Sequence, residues 1–414
     1  MTNPTPADVE EQVAAWVDEN WSPDLTCAEW WQLLADAGYS APMLPEEAGG
    51  KGWTRDLAHA VTRTLAAKEV LGPPTGLGMM LAAPTIAAHG TPEQIETYVK
   101  PIINGQQAWC QLFSEPGAGS DLAGLQAKAE QDGEEWMVNG QKVWTSGGQV
   151  ADMGMLIART DPDQPKHQGI TYFACDMHQD GVDVRPLTEM TGRALFNEVF
   201  LTDARVRDDS MIGGKGNGWR VANTTLMFER SHLGSGTVPV ASAQCGTIAG
   251  NLDRRAGDFT QRKRGESGVP PVGPVLFDRL VELARKLGRT EEPVVREELM
   301  KLYQIVQVNK LNMLRAKSGQ NRTGAEGNIG KLLVSDLFRE FREVGNMILG
   351  AEGMVGERES TASWVQEITM FSPGPSIYGG TDQIQKNIIG ERVLGLPKEP
   401  GPAKETPFKD LPKN

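Results

Sequence analysis

The sequence predicts an α+β protein in which helices are followed by a β domain and then by helices again. Three observations carry that reading. Up to about residue 110 the signals are helical, and between Trp109 and about Gly218 they give way to short alternating runs separated by turns. After Trp219 the helical period returns. No internal repeat disturbs the outline, which predicts three domains: 1–110 helical, 111–218 β and 219–414 helical.

Each part has local support. The stretch "TPEQIETYVKPI" opens with Thr91 as N-cap, Pro92 at the first helical position and Gln94 completing a capping box. "MGMLIART" and "GITYFACDM" predict strands, and Asn139-Gly140 in "EWMVNGQKVW" predicts a two-residue hairpin turn. Downstream, Val334, Leu337, Phe341, Val344 and Ile348 keep the alternating three-and-four spacing of a helix's buried stripe. "RKRGESGVPPVGP" (262–274) breaks that region and predicts a mobile loop.

Composition excludes several function classes. A net charge of −13 over 414 residues argues against a nucleic-acid or anionic-membrane surface. No apolar run approaches the roughly 18 to 20 residues of a membrane span, and the polar, acidic start is no signal peptide, so a cytoplasmic protein is expected. The four cysteines are scattered and read as small core residues, and the five histidines show no ligand spacing. Neither a disulfide framework nor a metal site is expected.

Glycine-rich pieces come next. "GGKGNGW" (213–219) lacks both the dinucleotide-fingerprint spacing and the P-loop ending, and reads as a turn before a helix. "SEPGAGSD" (114–121) is more informative, because its small residues let backbone N–H groups face an anionic or carbonyl-rich ligand while Ser114 and Ser120 add hydroxyls. Taken alone it could equally be a surface loop.

"QLFSEPGAGSDLAGLQAKA", "VNGQKVWTSGG", "PLTEMTGRALFNEVFLTDARV" and "IYGGTDQIQKNIIGERVLGLP" stand in the order and spacing of one family. The chain resembles the acyl-CoA dehydrogenases from roughly residue 10 to 398. That resemblance implies an N-terminal helical domain, a middle β-barrel-like domain and a C-terminal four-helix bundle. It also implies FAD, with an acyl-CoA thioester lying on the flavin. By position, Ser114 would meet the flavin pyrimidine edge and Ser120 the phosphate region, with Gly119 as a further cofactor-binding residue. Trp144 would lie on the isoalloxazine face, Ser146 near N5, and Thr381 and Gln383 would hold the cofactor from the C-terminal domain.

One position departs from the common pattern: Gly379 stands where well-known members carry a glutamate base. The helix "NGWRVANTTLMFERSHLG" offers a replacement, because Ala222, Leu226, Glu229 and Leu233 fall on one face and put a carboxylate in the apolar stripe. Burial would raise its pKa toward the range of a general base, with Arg230 beside it limiting the shift, although Glu229 could also be a structural ion-pair residue. A minority of the family, including isovaleryl-CoA dehydrogenase, keeps its base on this helix beside an arginine. The resemblance therefore implies Glu229 as base, Arg230 as the active-site arginine and the Gly379 N–H as a donor to the thioester carbonyl. The product would be a trans-2-enoyl-CoA.

Further departures bear on assembly. Met347 stands at the place of a glutamine and Ala351 at that of a glycine, and no arginine with a Phe-Gly pair follows the base helix, so the usual clamp on the adenine end of FAD is lost. This resembles bacterial steroid or bulky-side-chain members that assemble as α2β2 from two unlike chains, with a homotetramer or homodimer as alternatives. The expected electron acceptor is an electron-transferring flavoprotein. A branched or bulky acyl group is expected because "GPPTGLGMMLAAPTIAAHG" (72–90) combines small residues with flexible Met79 and Met80. A non-catalytic structural subunit and an acyl-CoA oxidase-like flavoprotein are the alternatives.

Overall fold

The computed structural model describes residues 4–232, 239–260, 273–318, 323–355 and 363–412. The chain divides into two compact units, the first made of 1–188, 194–264 and 401–414, the second of 189–193 and 265–400. Most of the predicted 262–274 loop lies outside the described residues.

The first unit begins with helices α1 (Pro6–Asn20), α2 (Cys27–Asp36) and α3 (Arg55–Ala67). Thr5 and Thr26 close capping boxes with Asp8 and Glu29, which explains where α1 and α2 start. Their apolar faces share a core holding Val9, Val13, Trp30, Trp31, Val61 and Leu65. The two buried indoles also reach outward: Trp30 donates to the Leu71 carbonyl at 2.6 Å and Trp31 to that of Gly72 at 3.0 Å. They fix the start of the 72–90 segment, which continues as a π-helical turn (Gly78–Ala82) into α4 (Ala83–His89). The predicted Thr91 capping box is present at the head of α5 (Pro92–Gln94), which runs through a second π-turn into α6 (Lys100–Ile103).

A seven-stranded sheet follows. Its strands are β1 (Trp109–Leu112), β2 (Lys128–Asp132), β3 (Glu135–Lys142), β4 (Met153–Arg159), β5 (Ile170–Asp176), β6 (Val182–Leu187) and β7 (Phe196–Arg207). They lie in the order β1-β4-β2-β3-β7-β6, with β5 also paired to β4. The two strands read from "MGMLIART" and "GITYFACDM" are β4 and β5, in register from Met153 opposite Asp176 to Arg159 opposite Ile170. Both read as unbroken apolar runs because both faces are covered. Met155, Ile157 and Tyr172 face the helices, while Leu156, Ala158 and Phe173 join Trp136, Val138 and Leu201 on the other side.

The Asn139-Gly140 hairpin is a correction. That pair lies inside β3, where the pairing with β7 slips between Val138 and Gly140. Asn139 is engaged across the sheet, since its Nδ2 donates to Asp203 Oδ1 at 2.9 Å and its Oδ1 accepts from the Asp203 N–H at 3.0 Å. A Cβ on Gly140 would come within 2.5 Å of the Ala127 side chain, so the glycine permits close strand approach at a bulge. The actual turn joins β2 to β3 around Gly133, whose φ is +67°.

Helix α7 (Gly218–His232) packs on β5, α4 and the Gly78–Ala82 turn, which places it with the first unit's core. The second unit holds α8 (Pro274–Lys286), α9 (Pro293–Ser318), α10 (Glu326–Leu349), α11 (Ser363–Phe371) and α12 (Asp382–Ile388). α8, α9, α10 and α11 share one apolar core. Leu337, Phe341, Val344 and Ile348 of the predicted α10 stripe are buried in it, and Val334 packs against it. All four cysteines are free and buried, as read from their spacing.

Candidate active site

Strand alternation puts Gln111 on the same face of β1 as its neighbours Trp109 and Phe113, and those two belong to the core that α7 covers. A glutamine there is anomalous. Its Nε2 is buried and completes no hydrogen bond. Above it, α7 buries Val221, Ala222 and Thr225, and Leu226 and Phe228 pack against the same core. Glu229 continues that face. It is half-buried as a residue, and desolvation pushes its carboxyl above the ordinary glutamate range, opposed first by the Gln111 amide and then by the charge of Arg230. Gln111 is therefore near enough to act on the carboxylate although the pair does not meet full hydrogen-bond geometry. The expected stripe is observed through Glu229; Leu233 lies outside the described residues.

Two other titratable groups on elements packed against α7 are engaged by threonines of α7. Tyr172 on β5 meets the Thr225 hydroxyl at 3.5 Å, and His89 on α4 meets that of Thr224 at 2.8 Å. Glu229 is the carboxylate of α7, set opposite a sheet face from which Gln111 acts on it.

Three residues beyond Gln111, β1 delivers Ser114. Its carbonyl accepts the Val143 N–H at 2.9 Å, tying the "SEPGAGSD" loop to the end of β3. Sequence reading passed over the pin beneath this loop. Lys142, wholly buried, donates to Glu115 Oε1 at 2.8 Å and to the Phe113 carbonyl at 3.1 Å, and Glu115 also accepts the N–H groups of Gln126 (2.6 Å) and Ala127 (2.9 Å). Burial lowers the Lys142 pKa, and Glu115 opposes that shift by attraction and hydrogen bonding. Gly119 and Ser120 are exposed on the loop's outer side, and a Cβ on Gly119 would meet only open space.

Trp144 lies one residue past Val143. It is 60 % exposed and has φ +61°, a conformation costing a bulky L-residue about 1 to 3 kcal/mol, so the surrounding structure must impose it. Its ring stands edge-on to Phe196 at 5.8 Å. Next to it Thr145 is bonded through its backbone to Asn197 in both directions, and Asn197 Nδ2 holds the Thr145 carbonyl at 2.9 Å. Two buried oxygens of this pair, Thr145 Oγ1 and Asn197 Oδ1, have no hydrogen-bond partner. Ser146 follows, half-buried. An outward Trp face, unpaired polar atoms and a glycine-lined loop suit a planar heteroaromatic ring carrying phosphates.

In the second unit, Gly379 and Gly380 both have left-handed backbones, φ +63° and +84°, which accounts for the glycine pair. Thr381 caps α12 by accepting the Ile384 N–H at 3.2 Å, and Gln383 is exposed on its first turn. Ser114, Gly119, Ser120, Trp144, Ser146, Glu229 and Arg230 thus belong to the first unit, and Gly379, Thr381 and Gln383 to the second.

Comparison with known proteins gives matches to the acyl-CoA dehydrogenase N-terminal domain over residues 6–106, the middle domain over 110–204 and the C-terminal domain over 275–394. Acyl-CoA dehydrogenase IpdE1 of Mycobacterium tuberculosis is 33 % identical, covering 95 % of this chain and 99 % of that protein. Acyl-CoA dehydrogenase FadE34 of the same organism is 37 % identical over 88 % of this chain and 46 % of its own length. Among solved structures, the Tcur3481-Tcur3483 steroid ACAD aligns with TM-score 0.68 at 23 % identity, over 96 % of this chain and 100 % of that one. The ChsE4-ChsE5 complex of Mycobacterium tuberculosis aligns with TM-score 0.67 at 23 % identity, over 96 % and 99 %.

Proposed function

This chain belongs to the acyl-CoA dehydrogenase family of FAD-dependent oxidoreductases, and we propose that Glu229 is the base with which it dehydrogenates a bulky acyl-CoA thioester. The observation that carries the reading is the Glu229 carboxyl, desolvated on the inner side of α7, in a chain whose position 379 is glycine. Bound FAD supplies the hydride acceptor for the β-hydrogen. Glu229 takes the α-proton, and Arg230 and Gln111 limit how far burial raises its pKa. The N–H of Gly379 polarises the thioester carbonyl. With FAD bound, Trp144 would cover the flavin face and exclude water there, and Ser146 would hydrogen-bond near N5. Ser114 would hold the pyrimidine edge and Ser120 the phosphates, with Gly119, Thr381 and Gln383 as further cofactor contacts. Lys142 and Glu115 do not touch the cofactor in this reading; they fix the loop that does.

The acyl group follows from two sources. IpdE1 and the steroid ACAD are relatives, and the segment next to α7 carries Met79 and Met80, half-buried and adaptable in shape. Anaerobic bleaching of the visible flavin spectrum tests both activity and substrate class. Ring-bearing or branched thioesters are expected to bleach it with a kcat/KM at least about 10-fold above octanoyl-CoA, the scale of one or two well-placed methylene contacts. Faster bleaching by octanoyl-CoA than by every bulky thioester would reject the substrate class. An electron-transferring flavoprotein is the proposed acceptor, and oxygen uptake during turnover would favour an oxidase instead.

Assembly is read from the second unit. Met347 packs against the helical core and offers no polar group in place of the amide, and Ala351 is exposed beside it. Helix α9 leaves Met300, Val308, Leu311 and Leu314 exposed, an apolar content suited to burial against another chain. We read this as the active-site subunit of an α2β2 heterotetramer whose second, related chain completes the adenine end of the FAD site. Expressed alone, the chain should purify with far less than one flavin per protomer by native mass spectrometry, and the mixed complex should be stabilised by FAD much more than the single chain. A homotetramer carrying four FAD with full activity would exclude this assembly. Among the described residues no helix is long and apolar enough to cross a membrane.

A further inference from the structure

The turn that carries Gly379 is held from one side by a buried amide that no part of the reading above uses. Gln385, in the second turn of α12 and 1 % exposed, donates from Nε2 to the Gly379 carbonyl at 2.7 Å and, at the longer 3.4 Å, to that of Gly380. Its Oε1 accepts from Asn328 Nδ2 on α10 at 2.5 Å, which fixes which end of the amide faces the turn. The fit is close in both directions, because a Cβ on Gly380 would sit 2.6 Å from Gln385 Nε2. A second set of contacts from α10 grips the flanks of the turn. Ser335 donates to the Pro375 carbonyl at 2.9 Å, and Arg339 bonds Ser376 at 2.7 Å and Asp382 at 2.9 Å. Lys331 holds Asp382 at 3.0 Å.

Those flanking contacts would suffice to anchor the segment to α10. The Gln385–Asn328 pair does something different: it fixes the orientation of two successive peptide planes within a left-handed turn. Glycine peptides in such a turn can rotate at little steric cost, so an N–H that must point at one spot needs its neighbouring carbonyl held. With Gly379 O and Gly380 O committed to Gln385, the peptide on the other side of the Gly379 Cα is constrained through a single pair of backbone torsions.

We propose that Gln385, oriented by Asn328, is a positioning residue that clamps the Gly379–Gly380 turn so that the Gly379 N–H is aimed at the thioester carbonyl. The inference rests on the assignment of Gly379 above. It makes Gln385 part of catalysis without contact to substrate or flavin, and it predicts loss of carbonyl polarisation when the amide is replaced.

The test uses the flavin-loaded protein and [1-13C]cinnamoyl-CoA, a ring-bearing enoyl thioester that has no saturated α,β bond to oxidise. Isotope-edited Raman spectra report the carbonyl stretch of the bound thioester. In the wild type the stretch should fall well below its value in water. Gln385→Met keeps the length and loses both hydrogen bonds to the turn and the one from Asn328; Gln385→Glu, read at a pH above the titration of its carboxyl, keeps the shape and the bond from Asn328 but turns a carboxylate toward the Gly379 carbonyl. Both should return the stretch toward the free value and lower kcat roughly 10- to 100-fold, short of the ~10²–10³ that follows outright deletion of an oxyanion donor. Affinity for free CoA should not change. An unaltered stretch and kcat in either folded variant would overturn the clamp and leave the dehydrogenase reading intact. A wild-type protein that does not shift the stretch at all would remove the role of Gly379, and the clamp with it.

Discussion

Glu229→Gln is expected to leave the flavin bound and to slow its anaerobic bleaching by substrate by ~10² to 10⁴ or more, the range for loss of a general base. The amide preserves shape and the proximity to Gln111 while abolishing basicity. Bleaching near the wild-type rate would sink the assignment of the base. The pH dependence gives an independent reading. Burial raises the Glu229 carboxyl above the ordinary glutamate range, so the acid limb of kcat/KM should lie above that range as well. Stability should move the opposite way. A carboxyl whose folded pKa is raised contributes its stability at low pH, below the unfolded value, and that contribution is lost as pH rises through the folded value. Wild type should therefore lose stability relative to Glu229→Gln across that window, a difference chemical denaturation at several pH values would read.

Lys142→Met should destabilise the first unit by about 3–5 kcal/mol and release the flavin. The methionine fills much of the space but leaves the buried Glu115 carboxylate with two backbone N–H donors, from Gln126 and Ala127, and only the longer-range charge of Arg159. Because Ser114 lies between Phe113 and Glu115, both of which Lys142 holds, the damage reaches the cofactor loop directly. Replacing both partners, as in Glu115→Gln with Lys142→Met, should recover part of the loss, since removing a whole buried pair costs less than stranding one charge. Urea unfolding of the single and double variants, with flavin content measured alongside, tests this. A single variant within about 0.5 kcal/mol of wild type would show that the pair is not what holds the loop.

Sequence reading and structure part company at identifiable residues. The α10 stripe, the Thr91 capping box and the strands β4 and β5 were legible because each rests on a periodicity or a cap that neighbours along the chain enforce. Asn139-Gly140 misled because the same dipeptide serves a hairpin turn and a bulge, and only the partner strand decides between them. Here Asp203 on β7 and Ala127 beside β2 do so. Gln111 carried a signal that could have been found, a polar residue at an inward position between Trp109 and Phe113 in "WCQLF". What it faces could not have been found, because Glu229 is 118 residues away along the chain.

By itself the sequence determined the family, the glycine at 379 and the carboxylate on the inner face of a helix, since motifs and helical spacing are properties of short stretches. Only the tertiary structure decided that the Glu229 carboxyl is desolvated beside an unpaired amide, and that Trp144 is held outward in a left-handed conformation. It also decided that Lys142 and Glu115 form a buried pair beneath the cofactor loop, and that Gln385 grips the Gly379 turn. The physical reason is the same in each case. Desolvation, backbone strain and hydrogen-bond satisfaction depend on which remote atoms exclude water, hold the backbone or fail to supply a partner, and none of the three is a function of local spacing.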